Sequence, residues 1–132
     1  MERDEKAKKI KKELRSLRKI NKSIEASFRM RSKYEKRLNY LKNNLQAKEA
    51  ERVQTLLAGL KIDEQIIRAT EMEAKYMTII DKLEPIDRTI IIDACINGKT
   101  YLAIGMDVGY SEEGVRKRID RICYKIADFT MI

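Results

Sequence analysis

Glycine and proline are distributed very unevenly along this chain, and their placement constrains the fold more than any other sequence feature. The first 58 residues contain neither, the only proline is Pro85, and four of the five glycines lie between positions 98 and 114. Glycine and proline are the residues that most often interrupt helices. The N-terminal part is therefore predicted to form long helices, and the C-terminal part a compact, turn-rich unit.

The apolar residues of the predicted first helix form one narrow stripe. At spacings of mostly three and four, the stripe contains Ile10, Leu14, Leu17, Ile24, Phe28, Tyr34, Leu38, Leu41 and Leu45. Two apolar positions in every seven are typical of a coiled-coil seam. A helix over about residues 4–43 would be ~60 Å long, and it needs a partner helix to be stable in water. We expect a homodimer through these N-terminal helices, with an antiparallel hairpin within the chain as the alternative.

Three details interrupt this seam. Asn21 occupies a seam position, Arg31 falls where the next apolar residue belongs, and the phase slips by three residues between Phe28 and Tyr34. A slip of three residues distorts a supercoil locally. Beyond a weak break at Asn43, we predict a second helix to about residue 60 and a third with Asp63 as its N-cap. Pro85 ends the third helix, because the residue before proline is pushed out of the helical region.

Charge and composition exclude several classes of function. The chain has a net charge of +8 and no histidine, so it has no histidine-based catalytic triad and no Cys/His zinc finger. The longest uncharged stretch, residues 53–60, is far shorter than a membrane span, and the N-terminus lacks the apolar segment of a secretory signal. We expect a cytoplasmic protein that is not an enzyme and holds no metal or cofactor. Cys95 and Cys123 are predicted to be small core residues.

The positive charge is concentrated in the N-terminal helices. Residues 1–62 carry a net charge of +11, residues 63–84 carry −3, and residues 85–132 are neutral. Three interpretations of these basic helices stay open: a solvated coiled-coil flank, nonspecific binding of nucleic acid phosphates, or docking on an acidic protein.

The C-terminal segment predicts two short helices joined by a tight turn. Thr100 is a candidate N-cap for a helix over residues 101–108, Gly109 suits the left-handed turn, and Ser111 is the N-cap candidate of the last helix. Gly105 lacks a side chain, so the next helix can pack closely. The last helix has an apolar seam with spacings of 4, 3 and 4, formed by Val115, Ile119, Ile122 and Ile126. This arrangement is typical of a helix-turn-helix unit.

These residues also carry a family resemblance. The pattern L-x-P-x-x-R, then N-G-K-T-Y-x-x-I-G-x-x-V-G-Y-S, then V-R-K-R-I-x-R-I resembles region 4 of bacterial sigma factors over about residues 80–127. It is similar to the version found in small phage-type regulators of late transcription. The resemblance implies a regulator of phage or prophage late promoters that binds double-stranded DNA, with RNA polymerase as a further partner. Nothing in residues 1–75 resembles sigma region 2.

The resemblance and the helical periodicity together give a candidate recognition face on the last helix. Opposite the apolar seam lie Glu113, Lys117, Asp120, Arg121 and Tyr124, flanked by Arg116 and Arg118. We predict that Glu113, Arg116 and Lys117 face the bases. The predicted phosphate contacts are Lys99, Thr100, Ser111, Arg118 and Arg121.

The sequence thus predicts an all-α fold with three regions. Residues 1–62 form a basic, coiled-coil-type oligomerisation region, residues 63–84 a connecting helix, and residues 85–132 the DNA-binding helix-turn-helix. Two alternative functions remain. One is a DNA-packaging protein of the small-terminase type, and the other is a protein-interaction module that docks on RNA polymerase without reading bases.

Overall fold

The computed structural model describes residues 2–130 and contains six helices in that range. They are α1 (Glu2–Asn43), α2 (Ala47–Gly59), α3 (Ile62–Ile80), α4 (Pro85–Cys95), α5 (Tyr101–Val108) and α6 (Glu112–Thr130). No strand is present between residues 2 and 130. The predicted all-α fold is confirmed.

Helix α1 is the longest helix of the molecule, and most of the other helices pack against it. Its 42 residues are uninterrupted, as the lack of glycine and proline predicts. The chain then reverses, and α2 followed by α3 returns antiparallel along α1. Two contacts record this direction: Lys75 Nζ lies 2.8 Å from Glu13 Oε2, and Gln65 Nε2 donates to Ser27 Oγ at 3.3 Å.

One large core joins the first half of α1 to helices α3 to α6. Ile10, Leu14 and Leu17 are buried in the same cluster as Ile122 and Ile126. Helices of the same chain therefore cover the first part of the apolar stripe, as in the hairpin alternative. The sequence assigned residues 1–62 to a separate region, but the first half of α1 shares its core with the helix-turn-helix segment.

The polar interruption of the seam has a structural reason. Asn21 Nδ2 donates to the carbonyl oxygen of Cys95 at 2.9 Å. Arg18 Nη1 donates to the carbonyl oxygens of Ala94 and Lys99 at 2.6 and 2.7 Å. Helix α1 here crosses the end of α4 and the turn that follows, where carbonyl groups lack partners within a helix. Asn21 in the seam and Arg18 beside it supply the missing donors.

The remaining part of the hairpin, residues 28–60, we call the distal arm. Its core is a small cluster in which Leu41, Ala50 and Val53 are buried. Several large apolar side chains on the arm stay exposed, among them Phe28, Tyr40, Leu45 and Leu56. Most of the arm's surface therefore faces solvent.

Two smaller predictions have different outcomes. Asp63 is not the N-cap of the third helix: α3 begins at Ile62, and the preceding Lys61 adopts a left-handed conformation with φ of 50° where the chain turns. Cys95 and Cys123 are buried and free, as predicted. Burial raises the pKa of the Cys95 thiol to about 12 and that of Cys123 to about 11.

Candidate nucleic-acid interface

Caps and a left-handed glycine define the two helices of the helix-turn-helix. Thr100 Oγ1 accepts a hydrogen bond from the backbone N–H of Ala103 at 3.1 Å. Ser111 Oγ accepts one from Gly114 N–H at 3.0 Å. Gly109 adopts φ of 80°. All three local predictions are confirmed, and they fix where α5 ends and α6 begins.

Gly105 sets how closely the two helices approach. Its carbonyl oxygen accepts hydrogen bonds from the N–H groups of Gly109 and Tyr110, each at 2.8 Å. A Cβ atom added at Gly105 would lie only 2.3 Å from the carbonyl oxygen of Tyr110. Only glycine fits this position without a shift of the backbone. The angle between α5 and α6 therefore depends on this residue.

The three predicted base-facing residues lie together at the exposed start of α6. Glu113, Arg116 and Lys117 are all exposed. Arg116 Nη1 lies 2.8 Å from Glu113 Oε2, and its guanidinium is 5.8 Å from the centre of the Tyr101 ring. Within residues 2–130, Lys117 forms no ion pair. The first turns of α6 thus present two carboxylates, those of Glu112 and Glu113, and two cations to solvent.

Arg118 has a different environment from the one predicted. Its Nε donates to Asp87 Oδ1 at 2.6 Å, and Lys125 Nζ donates to Asp87 Oδ2 at 2.6 Å. The Asp87 side chain is completely buried, whereas 21 % of the Arg118 side chain is exposed. Burial raises the pKa of Asp87, but hydrogen bonds and positive charge from Arg118 and Lys125 outweigh it and hold that pKa below its usual value. The two ion pairs anchor α6 to α4.

The other predicted phosphate contacts occupy two places. Ser111 and Arg121 line a shallow groove at the turn, together with Lys117 and Arg118. Lys99 and Thr100 lie at the start of α5 instead. There Lys99 Nζ is 3.2 Å from Asp107 Oδ2 and 3.7 Å from Asp93 Oδ2. The turn groove is therefore the more positive of the two places.

The candidate recognition face is shorter than the helical periodicity suggests. Asp120 Oδ1 pairs with Lys11 Nζ at 2.6 Å, and the Tyr124 hydroxyl donates to Asp4 Oδ1 at 2.8 Å. Including Asp120 and Tyr124 in a free face was wrong, because α1 lies antiparallel against this part of α6. The freely accessible part of the face runs from Glu112 to Lys117 and includes Arg121.

Sequence reasoning missed Asp87 and Lys125. Asp87 stands in the first turn of α4, where an acidic residue usually stabilises the helix dipole, so its type gave no sign of a buried partner. Between residues 2 and 130, no group of three or more His, Cys, Asp or Glu side chains is placed to hold a metal ion. Within that range no helix is long and apolar enough to cross a membrane.

Comparison with protein-family models, curated proteins and solved structures finds no match for this chain.

Proposed function

We propose that this protein binds double-stranded DNA sequence-specifically and regulates transcription. The observation that carries the proposal is the start of α6, which exposes Glu113, Arg116 and Lys117 on a helix anchored by buried contacts behind it. A helix of this kind enters the major groove with its N-terminal residues toward the base edges. The groove distinguishes all four base pairs by their donor and acceptor pattern.

Each of the three side chains has a matching base edge. Arg116 and Lys117 suit the O6 and N7 acceptors of guanine, and Glu113 suits the N4 donor of cytosine. The ion pair between Arg116 and Glu113 has to open for this readout. Both side chains are about half exposed, and such surface pairs contribute at most ~1 kcal/mol, so opening is a small obstacle.

Phosphate contacts hold the helix in register. The free N–H groups at the start of α6, beside Ser111, suit a phosphate, as do those beside Thr100 at the start of α5. Arg121 adds a cation on the same side of the turn, and Lys99 adds one at α5. For Arg118 we propose a changed role, in which it orients α6 through Asp87 rather than binding DNA directly.

The biological setting of the proposal comes from the sequence resemblance. A sigma-region-4-like unit supports action at late promoters of a phage or prophage in the cytoplasm of a bacterial host. RNA polymerase is the further partner in that setting.

A specific observation favours protein docking as a second candidate function. On α5, Leu102 and Met106 are 57 % and 79 % exposed, and the helix contains no lysine or arginine. An apolar pair of this kind suits a protein surface better than a phosphate backbone. If docking is the sole function, Leu102→Ser with Met106→Ser abolishes activity, whereas replacing the base-facing residues of α6 changes nothing.

We also propose that the chain forms a homodimer through the distal arm. The arm buries few residues and exposes Tyr40, Leu45 and Leu56, and pairing two arms would cover them. Light scattering tests this: a dimer supports a regulator, a closed ring of many subunits supports the small-terminase alternative, and a monomer contradicts the homodimer and leaves the hairpin within the chain.

The main experiment selects bound sequences from random duplex DNA and then compares variants. Glu113→Ala, Arg116→Ala and Lys117→Ala should each cost ~1–3 kcal/mol of binding and relax preference at one or two base pairs. Arg121→Ala should weaken all sequences about equally. Lys48→Ala on α2 is the matched control, an exposed cation far along the chain from the turn. Full binding by the triple Glu113/Arg116/Lys117 alanine variant, with unchanged melting, would contradict the proposal.

A further inference from the structure

Eight cations of α1 lie in one continuous line along the helix. They follow spacings of four and three residues, with Ala26 in the only position of the line that is not basic. We call them the basic stripe: Lys8, Lys12, Arg15, Lys19, Lys22, Arg29, Lys33 and Lys36. All eight side chains are exposed. The interval between Lys22 and Arg29 contains Ala26 and also the exposed Glu25, which is three residues from Lys22 and four from Arg29.

The basic stripe is uncompensated, in contrast to neighbouring cations on the same helix. Arg3 pairs with Asp128 and Lys11 with Asp120, whereas no residue of the stripe forms an ion pair with any part of the chain between positions 2 and 130. Like charges three or four residues apart destabilise a helix. Eight of them in line make folding less favourable, so their placement points to a role outside folding.

The first five members of the stripe pass beside the helix-turn-helix. Lys8 borders a groove together with Asp120 and Tyr124 of α6. Lys22 packs beside the turn after α4, since its Cγ lies 3.3 Å from the place where a Cβ on Gly98 would be. Between them, the Arg18 guanidinium lies 5.0 Å from the centre of the Tyr101 ring, and the guanidinium of Arg116 on α6 lies 5.8 Å from the same ring centre.

The last three members, Arg29, Lys33 and Lys36, lie on the distal arm. From Lys8 to Lys36 the stripe is about 42 Å long at ~1.5 Å per residue. Phosphates of one DNA strand follow at ~3.4 Å per base pair along the axis, so the stripe matches about 12 base pairs. It therefore continues well beyond the few base pairs that the start of α6 reaches.

We propose that the basic stripe binds the phosphate backbone of duplex DNA and extends the footprint from the helix-turn-helix along α1. This inference rests on the proposed function. An acidic protein fits the stripe less well, because protein interfaces have an apolar centre and the only apolar residue in this line is Ala26. A line of exposed cations with few apolar side chains suits the charged phosphate backbone.

The test uses three full-length variants that each lose three positive charges. The proximal variant is Lys12→Gln, Arg15→Gln, Lys19→Gln, and the distal variant is Arg29→Gln, Lys33→Gln, Lys36→Gln. The control is Lys42→Gln, Lys48→Gln, Arg68→Gln, exposed cations outside the stripe. Fluorescence anisotropy at several salt concentrations measures binding to two duplexes. One is limited to the selected site, and the other extends it by about 12 base pairs on each side.

We expect the proximal variant to reduce the steepness of the slope of log affinity against log salt concentration by 2 to 3 on both duplexes. Each lost phosphate contact accounts for about 0.9 of this change. The distal variant should show this change only on the extended duplex. The control should leave the slope unchanged on both. Slopes for the stripe variants that match the control, with melting temperatures equal to the parent's, would overturn the inference.

The same measurements separate this inference from the proposed function. If the stripe variants bind like the control while the Glu113/Arg116/Lys117 variant loses sequence preference, the stripe inference is wrong and sequence-specific recognition stands. If the stripe variants flatten the salt dependence while the α6 variant keeps full affinity and preference, the stripe inference stands and base readout by α6 is wrong.

Discussion

The base of the molecule and its distal arm are built on very different cores. At the base, the first half of α1 and helices α3 to α6 share one cluster of 19 buried residues. The distal arm has three buried residues, Leu41, Ala50 and Val53. Yet both regions are equally helical. Secondary structure therefore says little about how strongly each region is held.

This difference in packing suggests that the base and the distal arm have different roles. The base fixes α6 through close packing and the Asp87 ion pairs, so the position of this helix is well determined. The arm is a two-helix hairpin, and helices with little tertiary packing are marginal in water. Regions with few buried contacts open at lower free energy than the core. We expect the arm to exchange its amide protons faster than the base does.

A matched pair of core truncations should show the largest effect. Ile122 and Leu41 are both fully buried, one in each cluster. Ile122→Ala should lower the free energy of global unfolding by ~2–5 kcal/mol. Leu41→Ala should open the arm while α3 to α6 stay folded. Thermal melting measures the first effect, and residue-resolved hydrogen exchange the second. Equal loss of protection throughout the chain in Leu41→Ala would show that arm and base unfold as one unit.

Replacing Asp87 tests the anchor of the base and gives a pH dependence. Asp87→Asn should lower stability at pH 7 by about 1.5–3 kcal/mol, the range for hydrogen bonds to charged groups. The folded state depresses the pKa of Asp87. The contribution of Asp87 to stability is therefore complete above the pKa that this carboxyl has in the unfolded chain. It is lost as the pH falls through the lower pKa that the carboxyl has in the folded state.

Denaturation at a series of pH values measures this contribution. The parent protein should lose its advantage over Asp87→Asn on acidification, and the two stabilities should converge below the folded pKa. Asp63→Asn serves as the control, because Asp63 is exposed. A constant difference across the whole acid range would mean that Asp87 acts through packing rather than charge.

Local chemistry explains which parts of the fold were predictable. The caps Thr100 and Ser111, the left-handed Gly109 and the end of the third helix before Pro85 depend on residues that are close in the chain, and each was predicted from the sequence. The close contact at Gly105 was also predictable, since a glycine inside a helix needs a reason. These features place the exposed start of α6 correctly.

Long-range partners were not predictable in the same way. Periodicity identifies the apolar face of α1 but not what covers it, so a dimer and a hairpin remained equivalent. The partner of Arg118 is 31 residues away at Asp87, and no spacing rule connects them. The covering of Asp120 and Tyr124 by the start of α1 is of the same kind. Tertiary contacts therefore changed the extent of the candidate interface but left its centre unchanged.

Two glycine substitutions sharpen the contrast between the regions at a smaller scale. Gly105→Ala places a Cβ against the Tyr110 carbonyl and should lower stability by ~1–3 kcal/mol, as overpacking does. It should also weaken DNA binding, because α6 must tilt.

At Gly59, at the end of α2, a Cβ meets nothing within 4 Å. Gly59→Ala should raise stability by ~0.4–1 kcal/mol through the unfolded chain. Chemical denaturation compares them, and equal effects would contradict the close approach at the turn.

The smallest expected effect concerns Leu45 at the tip of the arm. Its side chain is 93 % exposed, and its backbone is left-handed with φ of 59°, a conformation that costs a residue with a Cβ roughly 1–2 kcal/mol. If the arm does not associate with a second copy, Leu45→Gly should therefore stabilise the hairpin by ~1 kcal/mol. Leu56→Gly is the control, because glycine inside α2 should destabilise that helix. Hydrogen exchange of the α2 amides measures both. Because an exposed leucine in this conformation has a cost and no compensating burial within the arm, we expect its side chain to contact a second copy. If Leu45→Gly instead lowers protection and light scattering shows a smaller particle, the side chain is buried against a second copy, and the arm gains from association the core it lacks alone.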